Sequence, residues 1–190
     1  MYVTCAYWHI LQTVVGSLLS MVSDSGSRTT GFLAIDPLLG MAFGLVLPGQ
    51  VLVVDAGGFE DTALWGGIMT RTAIERGIGG LVIDGAVRDV AEIREFGFKI
   101  FARAIVPAGP HKGFGGIIHG TISCGGCPVS PGDLIIADDD GVAVVPLARQ
   151  AGLLEASAAK IASEDATITD IAAGKLPSAS MGLPDPEWID

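Results

Sequence analysis

A glycine pair and an arginine–aspartate pair are the residues of this sequence best suited to hold a small anion beside a cation. Gly66-Gly67-Ile68-Met69 predicts the first turn of a helix, where backbone N–H groups lack partners and glycines leave them open to an anion. Arg88 and Asp89 follow Leu81 to Gly85, a short apolar run that predicts a buried strand. If helix and strand form a β-α-β unit, the two pairs meet at one site.

These residue types predict lyase chemistry on a 2-oxo acid. An arginine binds a carboxylate through parallel N–H bonds, and a helix N-terminus adds donors and a partial positive charge. An aspartate such as Asp89 can bind Mg²⁺ or a similar cation such as Mn²⁺, because Mg²⁺ keeps most of its waters and needs few carboxylates. A divalent ion chelated by the acid polarises its carbonyl and stabilises the enolate that C–C cleavage leaves. Arg88 and Asp89 are therefore the candidate catalytic residues.

Asp89 also has a purely structural interpretation. Asp89-Val90-Ala91-Glu92 matches a capping box, in which Asp89 would only cap a short helix and Arg88 would pair with a surface carboxylate. Spacing alone leaves both interpretations open.

Other chemical motifs are weaker. Val53 to Gly58 resembles a methyltransferase glycine loop without its third glycine, and Gly77 to Gly80 precedes its strand, whereas a Rossmann loop follows one. Cys124-Gly125-Gly126-Cys127 has no second CxxC and lies among predicted strands, which favours buried thiols at a glycine turn over a redox pair or zinc site. Asp138-Asp139-Asp140 suits a solvated hairpin tip. The histidines show no ligand spacing: His9, His111 and His119.

Strands and helices alternate in the first half of the sequence. After a short strand at Gly31 to Ile35, Val51 to Asp55 predicts a strand ended by glycines, and a helix follows from about Leu64 to Arg76. The strand before Arg88 comes next, then a short helix and a strand from Phe98 to Arg103. This order is typical of β-α-β units.

The second half predicts a β-rich layer and one long helix. Short strands and turns run from Gly115 to Val145, with a tight hairpin at Asp139-Asp140-Gly141. Pro146 and apolar residues at helical spacing predict a helix as far as Gly174. Residues 175–190 carry three prolines, which predict an extended tail.

Composition excludes some partners. Among the 190 residues 49% are apolar, and the mean hydropathy of +0.54 predicts apolar surface buried between subunits. The net charge of −10 argues against nucleic acid. Three cysteines do not make a secreted disulfide framework, so a cytoplasmic protein is expected.

Residues 1–22 carry no Asp, Glu, Lys or Arg, which raises the question of a signal peptide or membrane anchor. The basic start of a signal peptide is missing, and polar residues dilute an apolar stretch already short for a membrane span. We therefore expect a packed N-terminal helix and no membrane association.

Three stretches together resemble one known family. WGGIMTRTAIERGIGGLVIDGAVRD, FARAIVPAGP and SCGGCPVSPGDLIIADDDGVAVVP are similar to the family of the regulator of ribonuclease activity A and the 4-hydroxy-4-methyl-2-oxoglutarate / 4-carboxy-4-hydroxy-2-oxoadipate aldolases. The resemblance runs from about Pro48 to Pro146 and more loosely through the C-terminal helix. On this basis residues 31–174 would form one domain that includes the C-terminal helix. Residues 1–30 are poorly matched, and residues 175–190 would form the tail.

The resemblance implies an α/β fold, a swivelling β/β/α domain in which helices flank central β layers, assembled as a homotrimer or hexamer with sites between subunits. It also implies residue roles. Backbone N–H groups of residues 66–69 and the side chain of Arg88 would bind the substrate, and Asp89 would bind Mg²⁺. Glu164 would reach the site from the neighbouring subunit.

The resemblance also shows one departure in the candidate site. Aldolase-type members carry an aspartate 21 residues before the arginine, and this sequence has Gly67 there. The expected function is a metal-dependent lyase that cleaves 4-hydroxy-4-methyl-2-oxoglutarate-type acids to pyruvate, decarboxylates oxaloacetate, or does both. The alternative is a non-catalytic binding protein similar to the ribonuclease regulator.

Overall fold

The computed structural model describes residues 4–5, 14–23, 43–109, 116–176 and 178. The predicted strand at Gly31 to Ile35, His9, His111 and most of the predicted extended tail lie outside these residues. The chain divides into two compact units, Met1–Leu147 and Ala148–Asp190.

The first unit contains the strands and two helices. Its strands are β1 (Thr4–Cys5), β2 (Val14–Ser23), β3 (Val51–Trp65), β4 (Gly80–Val87), β5 (Ile100–Ile105), β6 (Gly116–Ile118), β7 (Ile122–Cys124), β8 (Cys127–Val129), β9 (Leu134–Asp138) and β10 (Gly141–Val145). Its helices are α1 (Gly67–Glu75) and α2 (Val90–Glu95), and residues 43–45 are also helical. After a 3-10 turn at Leu147–Arg149, the second unit contains α3 (Leu153–Ala172).

An eight-stranded sheet organises the first unit, in the order β1-β10-β9-β2-β3-β4-β5 with β6 paired to β2. Strands β3, β4 and β5 run parallel, and α1 and α2 connect them, so the predicted β-α-β arrangement is confirmed. Strands β7 and β8 form a separate antiparallel hairpin. The fold is therefore the expected mixed α/β architecture.

Alternate residues of the parallel strands supply two cores on opposite faces of the sheet. Every residue of β4 is buried, as expected for a strand covered on both faces. Leu81 and Ile83 pack in one core with apolar residues of the two helices, whereas Val82 packs in the other with residues of β7 to β10. Because side chains alternate along a strand, this one apolar run contributes to both cores.

The predicted N-terminal helix is wrong where the chain is described. Residues Val14–Ser23 form β2, which pairs in parallel with β3 and antiparallel with β9 and β6. An uncharged stretch containing adjacent valines suits a central strand with neighbours on both sides. In the described part of the chain no helix is long and apolar enough to cross a membrane.

Glycines explain two further corrections. Gly57 and Gly58 have positive φ and form an irregularity within β3, which continues to Trp65, so α1 begins at Gly67 and not near Leu64. The long helix begins at Leu153 and not near Pro146, because its N-cap residue Gly152 takes a left-handed conformation (φ 79°).

The two predicted glycine and aspartate hairpins are confirmed. Cys124 and Cys127 are opposite each other and buried on either side of Gly125-Gly126, whose φ values are both positive. Asp139 and Asp140 form the exposed turn between β9 and β10.

The buried Asp84 carboxylate, which forms an ion pair with the partly exposed Arg103, anchors the cysteine hairpin to the parallel sheet. Asp84 accepts hydrogen bonds from Arg103 Nε (2.5 Å) and from the Gly125 backbone N–H (2.7 Å). The hydrogen bond with Asp84 raises the pKa of Arg103 above its ordinary value, so this arginine stays charged.

Candidate active site

A buried hydrogen-bond chain fixes the glycine turn that opens α1. Trp65, the last residue of β3, donates from Nε1 to Thr70 Oγ1 (2.7 Å), and that hydroxyl donates to the Gly66 carbonyl (3.0 Å). The Trp65 ring stacks on Phe98, with ring centroids 6.2 Å apart. The first turn of the helix is therefore tied to the core, although its N-cap residue, Gly66, has no side chain with which to cap it.

Asp89 is directed at the N-terminus of α1. It is the N-cap residue of α2, but its φ of 58° is left-handed and its side chain makes no cap hydrogen bond. Its Oδ2 atom instead accepts the Gly67 backbone N–H at 2.9 Å. The capping-box interpretation is therefore wrong for the side chain, because the left-handed backbone turns the carboxylate from its own helix to a neighbouring one.

Arg88 lies beside Asp89, with its Nε atom 3.6 Å from Asp89 Oδ2. Its backbone N–H donates to the Trp65 carbonyl (2.9 Å), which joins the end of β4 to the end of β3. The Arg88 and Asp89 side chains are 41% and 43% exposed, so both are open to a ligand from solvent.

Gly66 leaves room for the close approach of these charged groups. A Cβ atom at Gly66 would lie 2.7 Å from Asp89 Oδ2 and 2.9 Å from Arg88 Nε, which is closer than real side chains approach. The structure thus brings Gly66, Gly67, Arg88 and Asp89 together. Ile68 and Met69 follow in the first turn of α1, Ile68 exposed and Met69 packed against the core.

Glu92 is a second carboxylate at the same place, and it is not among the site residues predicted from the sequence. A Cβ atom at Gly67 would overlap Glu92 Oε2, so this carboxylate occupies the space that a side chain at position 67 would need. Its Oε1 atom accepts a hydrogen bond from Arg71 Nη2 (2.8 Å). The signal was present as the fourth residue of Asp89-Val90-Ala91-Glu92, which was interpreted only as a capping box.

Glu164 belongs to α3 in the second unit. Its side chain is 57% exposed and lies 3.2 Å from Lys160 Nζ, one helical turn earlier. Its contribution to a neighbouring subunit's site stays a prediction.

The donor set around Gly67 fits a hard divalent cation. Asp89 and Glu92 supply carboxylate oxygens, and both side chains are partly exposed. Across the described ranges there is no group of three or more Asp, Glu, His or Cys residues arranged for a metal. One or two carboxylates are the usual protein share of a Mg²⁺ site, whereas a structural zinc site would need four nitrogen or sulfur ligands.

Residues 34–144 match a protein-family model, RraA-like, described as Aldolase/RraA. The chain is similar to the 4-hydroxy-4-methyl-2-oxoglutarate aldolase of Thermus thermophilus, with 42% identity over 98 residues, which are 52% of this chain and 60% of that protein. The chain spans 60% of that relative's length and 57% of the length of a similarly named relative from Halalkalibacterium halodurans.

Solved structures agree with this match. The RNA-processing inhibitor RraA from Thermus thermophilus superposes with a TM-score of 0.65 and 29% identity, over 77% of this chain and 85% of that one. Streptomyces coelicolor RraAS2 is described as an unusual member of the RNase ES inhibitor RraA family. It superposes with a TM-score of 0.74 and 27% identity, over 85% of this chain and 81% of that one. The family resemblance and the fold class predicted from the sequence are confirmed.

Proposed function

Because the chain belongs to the Aldolase/RraA family, we propose that it is a divalent-metal-dependent lyase acting on 2-oxo acids. One observation carries this proposal: Arg88, Asp89 and the open first turn of α1 converge on one partly exposed place. An arginine and a helix N-terminus together bind a carboxylate, and an aspartate beside them binds a cation. The aldolase name of the Thermus thermophilus relative supports the same class.

Arg88 and the backbone N–H groups at the start of α1 would bind the carboxylate of the substrate. Because the Gly67 N–H donates to Asp89, the N–H groups of Ile68 and Met69 are the better candidates for binding the carboxylate. Asp89 and Glu92 would hold Mg²⁺ or Mn²⁺ through their oxygens. The bound cation would polarise the 2-oxo carbonyl and stabilise the charge that develops on it.

Gly67 bears on which C–C bond is cleaved. Aldol cleavage of a 4-hydroxy-4-methyl-2-oxoglutarate-type acid must remove a proton from the 4-hydroxyl group, and Gly67 has no side chain to do so. Decarboxylation of oxaloacetate leaves the same enolpyruvate and needs no such base. We therefore propose that oxaloacetate decarboxylation tolerates the absence of a side chain at position 67 better than aldol cleavage does. Glu92 is the carboxylate nearest to that position.

A second candidate is a non-catalytic regulator that binds a protein partner. One superposed structure is described as an RNA-processing inhibitor, and the other as an unusual member of the RNase ES inhibitor RraA family. A net charge of −10 suits a basic partner. A regulator has no need of a carboxylate-binding site that depends on a metal.

Pyruvate release separates these candidates. It is measured from oxaloacetate and from 4-hydroxy-4-methyl-2-oxoglutarate, with and without Mg²⁺, for the wild type, Arg88→Ala and Arg94→Ala. Arg94 is exposed on α2 and serves as the matched arginine control. Binding of oxalate, a stable mimic of the enolate, is measured by calorimetry on the same proteins.

If the protein is the proposed lyase, pyruvate release should depend on Mg²⁺. It should persist in Arg94→Ala and be lost in Arg88→Ala. Removing the charge-assisted contact should weaken oxalate binding by about 2 to 4 kcal/mol. Unchanged oxalate affinity in Arg88→Ala would show that the site is assigned wrongly. A folded wild type with no turnover on either acid would favour the regulator.

A further inference from the structure

The far end of the Arg88 side chain lies against the loop that follows β5. Two backbone hydrogen bonds hold this loop: Val106 N–H donates to the Val87 carbonyl (3.0 Å), and Ala63 N–H donates to the Ala108 carbonyl (2.8 Å). The loop is thus tied to the ends of both β4 and β3. Gly109 follows directly and faces the guanidinium.

At Gly109, the steric constraint on a side chain comes from the neighbouring Arg88 and not from the backbone conformation. A Cβ atom on it would lie 2.6 Å from Arg88 Nη1 and 3.5 Å from Arg88 Cζ. Its φ lies outside the left-handed range that only glycine adopts readily. An alanine therefore fits the backbone, and among the described residues the group it displaces is the tip of one flexible side chain.

Two glycines from different loops therefore flank one guanidinium. Gly66 lies against Nε and Cγ of Arg88, and Gly109 lies against Nη1. Both meet the side chain through bare backbone on loops held by hydrogen bonds. Because parallel N–H bonds to a carboxylate require a fixed plane, the direction of the guanidinium sets how well it binds an anion.

We propose that Gly109 is a positioning residue, which sets the plane of the Arg88 guanidinium for a substrate carboxylate. The link to substrate rests on the proposed function; the orientation of Arg88 does not. A side chain at position 109 would push Nη1 out of place without unfolding the protein. Gly109 would therefore determine carboxylate affinity without touching the ligand.

The test compares Gly109→Ala with Gly44→Ala. Gly44 is the matched control, since its Cβ would have no described atom within 4 Å and its φ is not left-handed. The ¹⁵N Nε–Hε NMR signal of Arg88, assigned by its loss in Arg88→Lys, reports the guanidinium directly. We expect Gly109→Ala to move this signal and to raise the oxalate Kd in Mg²⁺ on the order of 10-fold, with an unchanged thermal midpoint. Gly44→Ala should do neither.

A double variant shows whether Gly109 acts through Arg88. In an Arg88→Lys background there is no Nη1 atom to displace, so adding Gly109→Ala should leave the oxalate Kd unchanged. An equal loss in both backgrounds, or an Arg88 signal that does not move, would overturn the proposal. If the wild type itself binds no oxalate, the proposed function fails while the NMR signal still decides whether Gly109 orients Arg88.

Discussion

Gly67 and Glu92 share one place in the candidate site, because the Glu92 carboxylate fills the space beside a residue with no side chain. Gly67 replaces the aspartate of aldolase-type members, but an acidic group from α2 lies in the space beside it. Asp89 approaches the same residue through the Gly67 N–H. Two carboxylates consequently lie around one glycine, in reach of the α1 N-terminus.

Glu92→Gln tests whether this carboxylate helps to hold the cation. The amide keeps the size of the side chain but removes its charge, so Mg²⁺-dependent oxalate affinity should fall roughly 10- to 100-fold. Titration of Mg²⁺ at fixed oxalate measures the change. Glu95→Gln, an exposed glutamate at the end of the same helix, should behave as the wild type. Equal affinities for the two variants would limit the metal site to Asp89.

The sequence predicted that the paired residues would lie together, but it did not predict the directions of their side chains. Residue types predicted that Arg88 and Asp89 would meet the α1 N-terminus, and they do. They could not predict that Asp89 has a φ of 58°, because this conformation is uncommon for a residue other than glycine. Residue types alone therefore fit a capping box equally well, and they do not distinguish Glu92 as a site residue.

The turn before α1 depends on Thr70, which links Trp65 to Gly66 in the core. Thr70→Val keeps the shape but leaves the buried Trp65 N–H without its partner, which should cost about 1 to 3 kcal/mol in the free energy of unfolding. Thr72→Val is the control, because Thr72 makes the same kind of bond within its own helix, but that bond is exposed to solvent. Urea unfolding should separate the two variants, and equal losses would contradict the role of Thr70.

Elements with local signals were predicted well, and those defined by distant partners were not. Strand β4 and the hairpin at Asp139 and Asp140 are visible within a few residues of sequence. Strand β2 owes its conformation to β3 and β9, with Val14 opposite Ala137. A periodicity within residues 1–22 cannot show such a pairing, because non-local contacts decide between helix and strand for a short apolar stretch.

Helix α3 exposes an apolar stripe in the second unit. None of its residues is buried. Leu154, Ile161 and Ile168 recur every seven residues and are 86%, 58% and 63% exposed. Seven-residue spacing keeps side chains on one face of a helix, and exposed apolar stripes of this kind usually meet a partner. Glu164 lies between the last two of these positions, which is consistent with the predicted role of this helix at a subunit interface.

Ile161→Asp should therefore break the predicted homotrimer. A charge at the centre of the apolar stripe would have to be buried on association, which costs more than the contact gains. Light scattering after gel filtration should show the wild type at about three times, or for a hexamer six times, the chain mass of 19.5 kDa, and Ile161→Asp near that mass itself. Ser163→Asp adds the same charge to the opposite face of α3 and should leave the assembly intact, because two positions along a helix turn the side chain by roughly 200°. Dissociation by both variants would reject the stripe as the interface, and a monomeric wild type would reject the trimer.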